Sequence, residues 1–359
     1  MPGRGQRPEV RGQKSVRTLK SNIQHRTSNI QYRTSNIQHP PAPLLSSSHP
    51  AKSSDNNDTM SIEPLKALIV HLTPGSEVLV STALLENFRT HHVTWIVAGE
   101  NAPLLRGMAW IDRLVCAESP NQLSAACADD FEVIVNLQAE PIWSEWAKDL
   151  RAEHRYGIAA VDSDGGNVHY HKKSASAPPW RSAQWRHRPL LQNYFELIGS
   201  VWCGQRPRLG CQPIQRELFD VGLAAIDDSN MPMRQWRKIR QRLQREYSIS
   251  HLYSGTPVSS VADWIARCGL VVASNELVLT MAVALEKPVV ALLRPSGSER
   301  HYLFGRGAKL TSVASHDCSL CREPDSVGYH TCNQQFELEE VAATVMKLLP
   351  PRRVAAKAG

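Results

Sequence analysis

Short apolar runs, each followed by a turn and then by a stretch with helical spacing, recur along most of this chain, and that alternation restricts its fold more than any other feature. The run over 66–72, Lys-Ala-Leu-Ile-Val-His-Leu, is apolar at consecutive positions instead of alternate ones. A strand of that kind is buried on both faces, as in a parallel sheet covered by helices. It ends in Thr73-Pro74-Gly75-Ser76 and leads into a helical pattern over 78–88. Further strands are expected over 93–97 and 132–137, and helices over 141–151 and 190–198. Residues 167–188, rich in His, Lys, Pro, Ser and Trp, read as a loop, and 203–213 as a linker.

The alternation then restarts. Helix 233–247, strand 250–253, helix 258–267, strand 270–274, helix 277–285 and strand 289–293 make a second series. A helix over 337–349 closes it, with Glu337, Glu339 and Glu340 in its first turn, where the helix dipole favours negative charge. The fold class is therefore α/β, in two Rossmann-like halves spanning 61–205 and 206–350. A chain of 359 residues, 42% of them hydrophobic, is large enough for two cores. Two such halves predict a cleft between them, with functional groups on the loops at the carboxyl ends of the strands.

Residues 1–60 are of a different kind. Ser21-Asn-Ile-Gln-His-Arg-Thr27 recurs over 28–34 and again over 35–41, and a Pro/Ser stretch follows. One aliphatic side chain per repeat leaves no coiled-coil seam and too little to bury, so a disordered low-complexity tail is expected. Met60 stands just before the first ordered-looking segment and is a candidate natural start. Nine basic residues against three acidic ones give this tail +6 of the formal +7, leaving +1 for the rest. The folded part thus lacks the basic excess that nucleic-acid binding requires, and no nucleic-acid partner is expected. The eight cysteines are scattered and no apolar leader opens the chain, a usage that fits a reducing cytoplasm better than a disulfide scaffold. No run approaches the roughly 18 apolar residues of a membrane span, so any membrane contact is expected to be peripheral.

Four segments carry a resemblance. The first is 66–85, from the opening strand through Ser76-Glu77 to Thr82-Ala83. The second is Val133-Ile-Val-Asn-Leu-Gln138, followed by Tyr156-Gly157. The third is 261–292, with Leu270-Val-Val-Ala-Ser274 and the continuation from Ala282 to Leu292. The fourth is Cys318-Ser-Leu-Cys321, then Tyr329-His-Thr-Cys332 and the terminal helix. In this order and spacing, over most of 62–349, they resemble glycosyltransferase family 9, which includes the ADP-heptose:lipopolysaccharide heptosyltransferases. The resemblance implies the GT-B fold, two Rossmann-like domains facing across a cleft. It also implies an inverting, metal-independent transfer, with no cofactor required, from a nucleotide sugar to a glycan, lipid-linked or protein acceptor. The sequence departs from the family at three places. Ser76-Glu77 stands for the usual Gly-Asp, Ala83 stands for the usual Pro, and Asn275-Glu-Leu-Val-Leu-Thr280 replaces Asp-Ser-Gly-Pro-Met-His.

An inverting transfer needs a carboxylate to take the acceptor's proton, and Glu77, at the carboxyl end of the first strand, is the candidate base. A Glu in a first helical turn also serves simply to complement the dipole. Ser76, His169 and His171 are the candidate acceptor-side residues, the two histidines being read as acceptor-facing or merely exposed. The diphosphate of a donor needs cations and N–H groups. Arg234 is placed there by resemblance, against the reading that it is one more solvated charge in 234–245. Ser274, Asn275, Glu276 and Thr280 make up the remaining donor-side set, Asn275 as a helix cap at most. Glu276 adds negative charge where phosphate is expected, so weak binding of ADP-heptose, or a different donor geometry, is predicted unless Glu276 points to solvent and Arg234 offsets it. Cys318, Cys321 and Cys332 have the ligand types for a structural zinc or iron ion, with free thiols as the default. Retention of Glu77 favours an enzyme. Loss of the donor motif favours a non-catalytic relative that binds or scaffolds.

Overall fold

The computed structural model describes residues 65–72, 74–123, 130–138, 140–160, 167–169, 188–225, 231–294, 298–312 and 336–350. The expectations for the tail therefore lie outside the described residues. The first half is a six-stranded sheet in the order β3-β2-β1-β4-β5-β6, built from β1 (Leu65–Val70), β2 (His91–Val97), β3 (Arg113–Cys116), β4 (Phe131–Asn136), β5 (Ala152–Ala160) and β6 (Asn167–His169). The first five strands are parallel and β6 runs antiparallel to β5. The second half is a wholly parallel five-stranded sheet in the order β11-β10-β9-β7-β8. Its strands are β7 (Phe219–Ala224), β8 (Ile249–Leu252), β9 (Cys268–Ala273), β10 (Val289–Leu293) and β11 (Gly307–Thr311). The helices are α1 (Gly75–Ser81), α2 (Ala102–Leu105), α3 (Pro141–Asp149) and α4 (Leu190–Leu197) in the first half, and α5 (Met233–Leu243), α6 (Val258–Ala266), α7 (Glu276–Ala284) and α8 (Leu338–Leu348) in the second.

Both sheets contain the point at which strand order reverses, between β1 and β4 in one and between β7 and β9 in the other. Crevices open at the carboxyl ends of strands there, which is why ligands bind at such points in open α/β sheets. The side chains of β1 show how the layers are filled. Ala67 and Ile69 enter one apolar cluster while Leu68 and Val70 enter another on the opposite face, all fully buried. The cluster on the inner side runs without a break into the second half, through Leu79 and Leu84 to Val271, Leu279 and Ala291. Helices α1 and α7 pack against each other in this shared layer. Gly75 lies in this layer, and a Cβ there would come within 2.8 Å of Asn101 Oδ1 and 3.6 Å of Leu277 Cδ1.

Several expectations are corrected. The helix over 78–88 is α1 followed by a 3₁₀ segment, Thr82–Phe88. The hydroxyls of Ser81 and Thr82 donate to the carbonyls of Val78 and Leu79 at 2.8 and 2.6 Å. Bonds from a hydroxyl to the preceding turn compete with the α-helical ladder, and the change of pitch falls at these residues. The loop expected over 167–188 begins as strand β6, held by pairing of Ile158 with His169 and Ala160 with Asn167. Helix α5 stops at Leu243 instead of 247, and the other boundaries hold or move by at most three residues. Strands β3, β5, β7 and β11 were not among the expected strands.

Candidate functional site

The site forms where the turn after β1 meets the segments that follow β9 and β10. Pro74 starts α1, and Glu77 sits in the first turn with its N–H donating to the Pro74 carbonyl at 2.8 Å. Its carboxylate is partly exposed. One oxygen, Oε1, accepts from Arg300 Nη2 at 3.0 Å, and the other, Oε2, lies 3.4 Å from the Tyr194 hydroxyl that donates to it. Arg300 ends a single 3₁₀ turn, Ser298–Arg300, beyond the carboxyl end of β10. The ion pair therefore joins the two halves.

Behind Glu77 lies a buried polar chain. His71, the residue after β1, has no solvent exposure, and its Nδ1 is 2.6 Å from Ser81 Oγ. The same hydroxyl donates to the Val78 carbonyl at 2.8 Å, so His71, Ser81 and that carbonyl are linked in series. Nε2 is 3.5 Å from the Tyr194 hydroxyl, and the two rings meet edge to face with centroids 5.5 Å apart. Burial lowers the His71 pKa to about 3, so the ring is neutral at ordinary pH. Tyr194 is likewise held neutral, its pKa raised well above normal first by burial and then by the charge of Glu77.

The opposite wall belongs to α7. Asn275 caps it, the side-chain oxygen accepting from the Val278 N–H at 3.1 Å, as the sequence suggested. Ser274 is buried beneath, and the Thr280 hydroxyl donates to the Glu276 carbonyl at 2.9 Å. Glu276 stands in the first turn with His301 Nε2 3.7 Å from its carboxylate. The contact with His301, and then the positive charges of Arg300 and Arg294, hold the Glu276 pKa at about 2 against the opposing effect of burial. Those groups offset Glu276, in place of the Arg234 that the sequence pointed to. Glu276 is thus no isolated negative charge. Between the walls is a pocket with an apolar floor that includes Leu190, Leu279 and Val283, and with Ser76, Glu77 and Arg300 among its polar lining.

The structure brings together Ser76, Glu77, Glu276 and Thr280 around this pocket, with Ser274 and Asn275 at the start of the same helix. Arg234 is exposed in the first turn of α5 and is not among the lining residues. His169 is placed in β6, at the edge of the first sheet. His171 and the cysteines Cys318, Cys321 and Cys332 lie outside the described residues. Among the described residues no group of three metal-ligating side chains occurs, and Cys116, Cys203, Cys211 and Cys268 are free thiols. No helix among the described residues is long and apolar enough to cross a membrane. Four residues of the site were missed: His71, Tyr194, Arg300 and His301. For His71 a signal existed, a polar residue closing an apolar strand. For Arg300 and His301 the only signal was their place after the strand at 289–293.

No protein-family model and no curated protein sequence matches the chain. Solved structures do. A glycosyltransferase family 9 protein from Veillonella parvula superposes with a TM-score of 0.57 at 13% identity, covering 79% of this chain and 97% of that one. The ADP-heptose lipopolysaccharide heptosyltransferase II of E. coli gives 0.57 at 14% identity, with 79% and 99% covered. The E. coli heptosyltransferase WaaC, in a structure with ADP, gives 0.52 at 13% identity, with 79% and 97% covered. Likeness at this level of identity is likeness of fold. The chain has the α/β, GT-B type architecture of two Rossmann-like domains that the sequence predicted.

Proposed function

We propose that the chain is a divergent member of glycosyltransferase family 9, and that it moves a heptose or related sugar from a nucleotide-sugar donor to a hydroxyl of a glycan, lipid-linked or protein acceptor. The observation that carries this reading is the position of Glu77. A carboxylate at the end of the central strand β1 faces a pocket whose other wall is α7, at the reversal points of both sheets. In the proposed reaction Glu77 takes the proton from the acceptor hydroxyl, the freed oxygen attacks the anomeric carbon, and the bond to the diphosphate breaks with inversion. Side chains carry these steps and no cofactor has a part in them. Ser76 stands beside the base on the acceptor side, and Ser274, Asn275, Glu276 and Thr280 stand on the donor side. The donor class and the cysteine usage agree with a cytoplasmic protein that touches a membrane peripherally at most.

The rival reading, a non-catalytic relative, rested on loss of the donor motif. The pairing of Glu276 with His301 weakens it, because the residue that seemed to bar a phosphate is offset locally. A panel of nucleoside diphosphate sugars, scored by thermal stabilisation and by release of free nucleoside diphosphate, tests the proposal. At 100 times the Kd a native-state ligand adds about 2.7 kcal/mol of stability. At least one member of the panel should raise the melting temperature and be turned over. If none does either, the enzyme reading fails.

A further inference from the structure

Arg300 is the one described cation that makes a direct bond to the candidate base, and it reaches it from the other half of the molecule. Its Nη2 lies 3.0 Å from Glu77 Oε1 across 223 residues of sequence. Glu276, on the opposite wall, acts on the same guanidinium and with Glu77 outweighs the cost of burying its charge. Arg300 thus lines one pocket with both carboxylates, bonded to Glu77 and next in sequence to His301. A guanidinium carries five N–H donors in a rigid fork, and the bond to Glu77 uses one of them. We propose, on the reading of this cleft as a nucleotide-sugar site, that Arg300 binds the donor's diphosphate, and that its pairing with Glu77 masks the base until a diphosphate draws Arg300 away.

Three observations support the exchange. First, the helix facing the pocket is poor in side-chain donors. The Thr280 hydroxyl is engaged by the Glu276 carbonyl, Asn275 caps the helix through its oxygen, and Leu277, Val278 and Leu279 offer none. Positive charge for a diphosphate has to come from elsewhere, and Arg300 and His301 are at the pocket. Second, a diphosphate offers several anionic oxygens with the spacing that a guanidinium fork binds two at a time, whereas Glu77 holds Arg300 through one oxygen. Third, Arg300 occupies one side of Glu77 Oε1, so an acceptor hydroxyl approaching that oxygen has to share it with a bound cation. Departure of Arg300 toward a diphosphate frees that oxygen. The order of events would then be donor first, base second.

The exchange predicts a sign that a merely structural ion pair does not. Calorimetric titration of the full chain with inorganic pyrophosphate, and separately with ADP, is carried out on the wild type, Arg300→Gln, Arg300→Lys, Glu77→Gln and the Glu77→Gln/Arg300→Gln double variant, each checked for an intact melting transition. Arg300→Gln should weaken pyrophosphate binding about 10- to 100-fold, the range for a lost charged hydrogen bond, and Arg300→Lys less. Glu77→Gln should bind pyrophosphate more tightly than the wild type, because the competing acceptor is gone. That gain should vanish in the double variant, since Arg300 is what the exchange releases. A gain that persists undiminished in the double variant reflects general charge removal and overturns the exchange. Unchanged affinity in both Arg300 variants overturns the inference alone. A wild type that binds neither pyrophosphate nor ADP overturns the inference and the donor-site reading together.

Discussion

Replacing Glu77 by Gln separates a catalytic role from a structural one, because the structure assigns very different sizes to the two. The substitution keeps the side chain's shape and removes its charge and one basic oxygen. The contacts affected are the Arg300 pair at 3.0 Å and the Tyr194 bond at 3.4 Å, of which the remaining amide oxygen can keep one as a neutral hydrogen bond. At an effective dielectric near 20 the pair's gross attraction is about 5 kcal/mol, but desolvation and solvent screening act against it. Both side chains keep contact with water, at 29% exposure for Glu77 and 38% for Arg300, so the net contribution belongs near about 1 kcal/mol. For a chain of this size that corresponds to a fall in Tm of about 2 °C. Loss of a general base slows the chemical step by about 10²- to 10⁴-fold. Steady-state turnover of a donor that stabilises the protein, measured beside a melting curve, reads both. The expected result is a collapse of kcat with a small change in Tm and no rise in the donor KM. An unchanged kcat with the same small loss of Tm would assign Glu77 to the helix start and refute its role as base.

Two further predictions concern stability. His71 has a folded-state pKa of about 3 against an ordinary 6.5, so between those values the unfolded chain binds a proton that the folded one refuses. Stability should therefore fall as pH drops below about 6.5, by about 1.4 kcal/mol per pH unit, and urea unfolding of His71→Gln at pH 7, 5.5 and 4.5 should show a shallower loss than the wild type; parallel curves would contradict it. Gly157 has φ +102°, and a Cβ there would lie 1.9 Å from the Asn136 carbonyl oxygen, whereas Gly204 has φ +97° with open space around it. Gly157→Ala should cost about 2 kcal/mol or more and clearly exceed Gly204→Ala, which bears backbone strain alone; equal denaturation midpoints would refute the steric account.

Most strands that could be read from the sequence are ones the fold buries on both faces, although β8, at a sheet edge, was read too and β7, inside its sheet, was not. β1, β9 and β10 lie inside their sheets, and burial there demands consecutive apolar residues, which is a local signal. β3 and β11 are the outermost strands of one end of each sheet, and their residues are mostly half-buried or exposed. Arg113 and Lys309 are tolerated there, so no apolar run marks them. β5 carries Glu153, His154 and Arg155 in succession and owes its place to pairing with β4, a property of the partner strand as much as of its own sequence. Its glycine is legible only in retrospect: Gly157 is required because the backbone passes against Asn136, a fact of packing and not of turn chemistry.

The candidate site divides along the same line. Glu77 and Glu276 were legible because each follows directly on a buried strand, and in a parallel sheet the residues just past the carboxyl end face the crevice whatever else the chain does. The cations were not, because a charge that answers another across a cleft is defined by the distance between elements, and sequence spacing is silent on that. Resemblance to the family pointed to Arg234 at the start of α5. That residue is exposed on its helix, and the groups that act on Glu276 are instead Arg294, Arg300 and His301, at and beyond the end of β10. The change follows from what replaced the donor motif. With Glu276 in the first turn of α7, the helix start brings a negative charge to the pocket, and a cation must stand within reach for that charge to be held there partly buried. Arg300 meets that requirement from the neighbouring strand's exit, with His301 beside it, and the same guanidinium bonds Glu77. Glu276 on α7 and Glu77 on α1 therefore act on one and the same guanidinium.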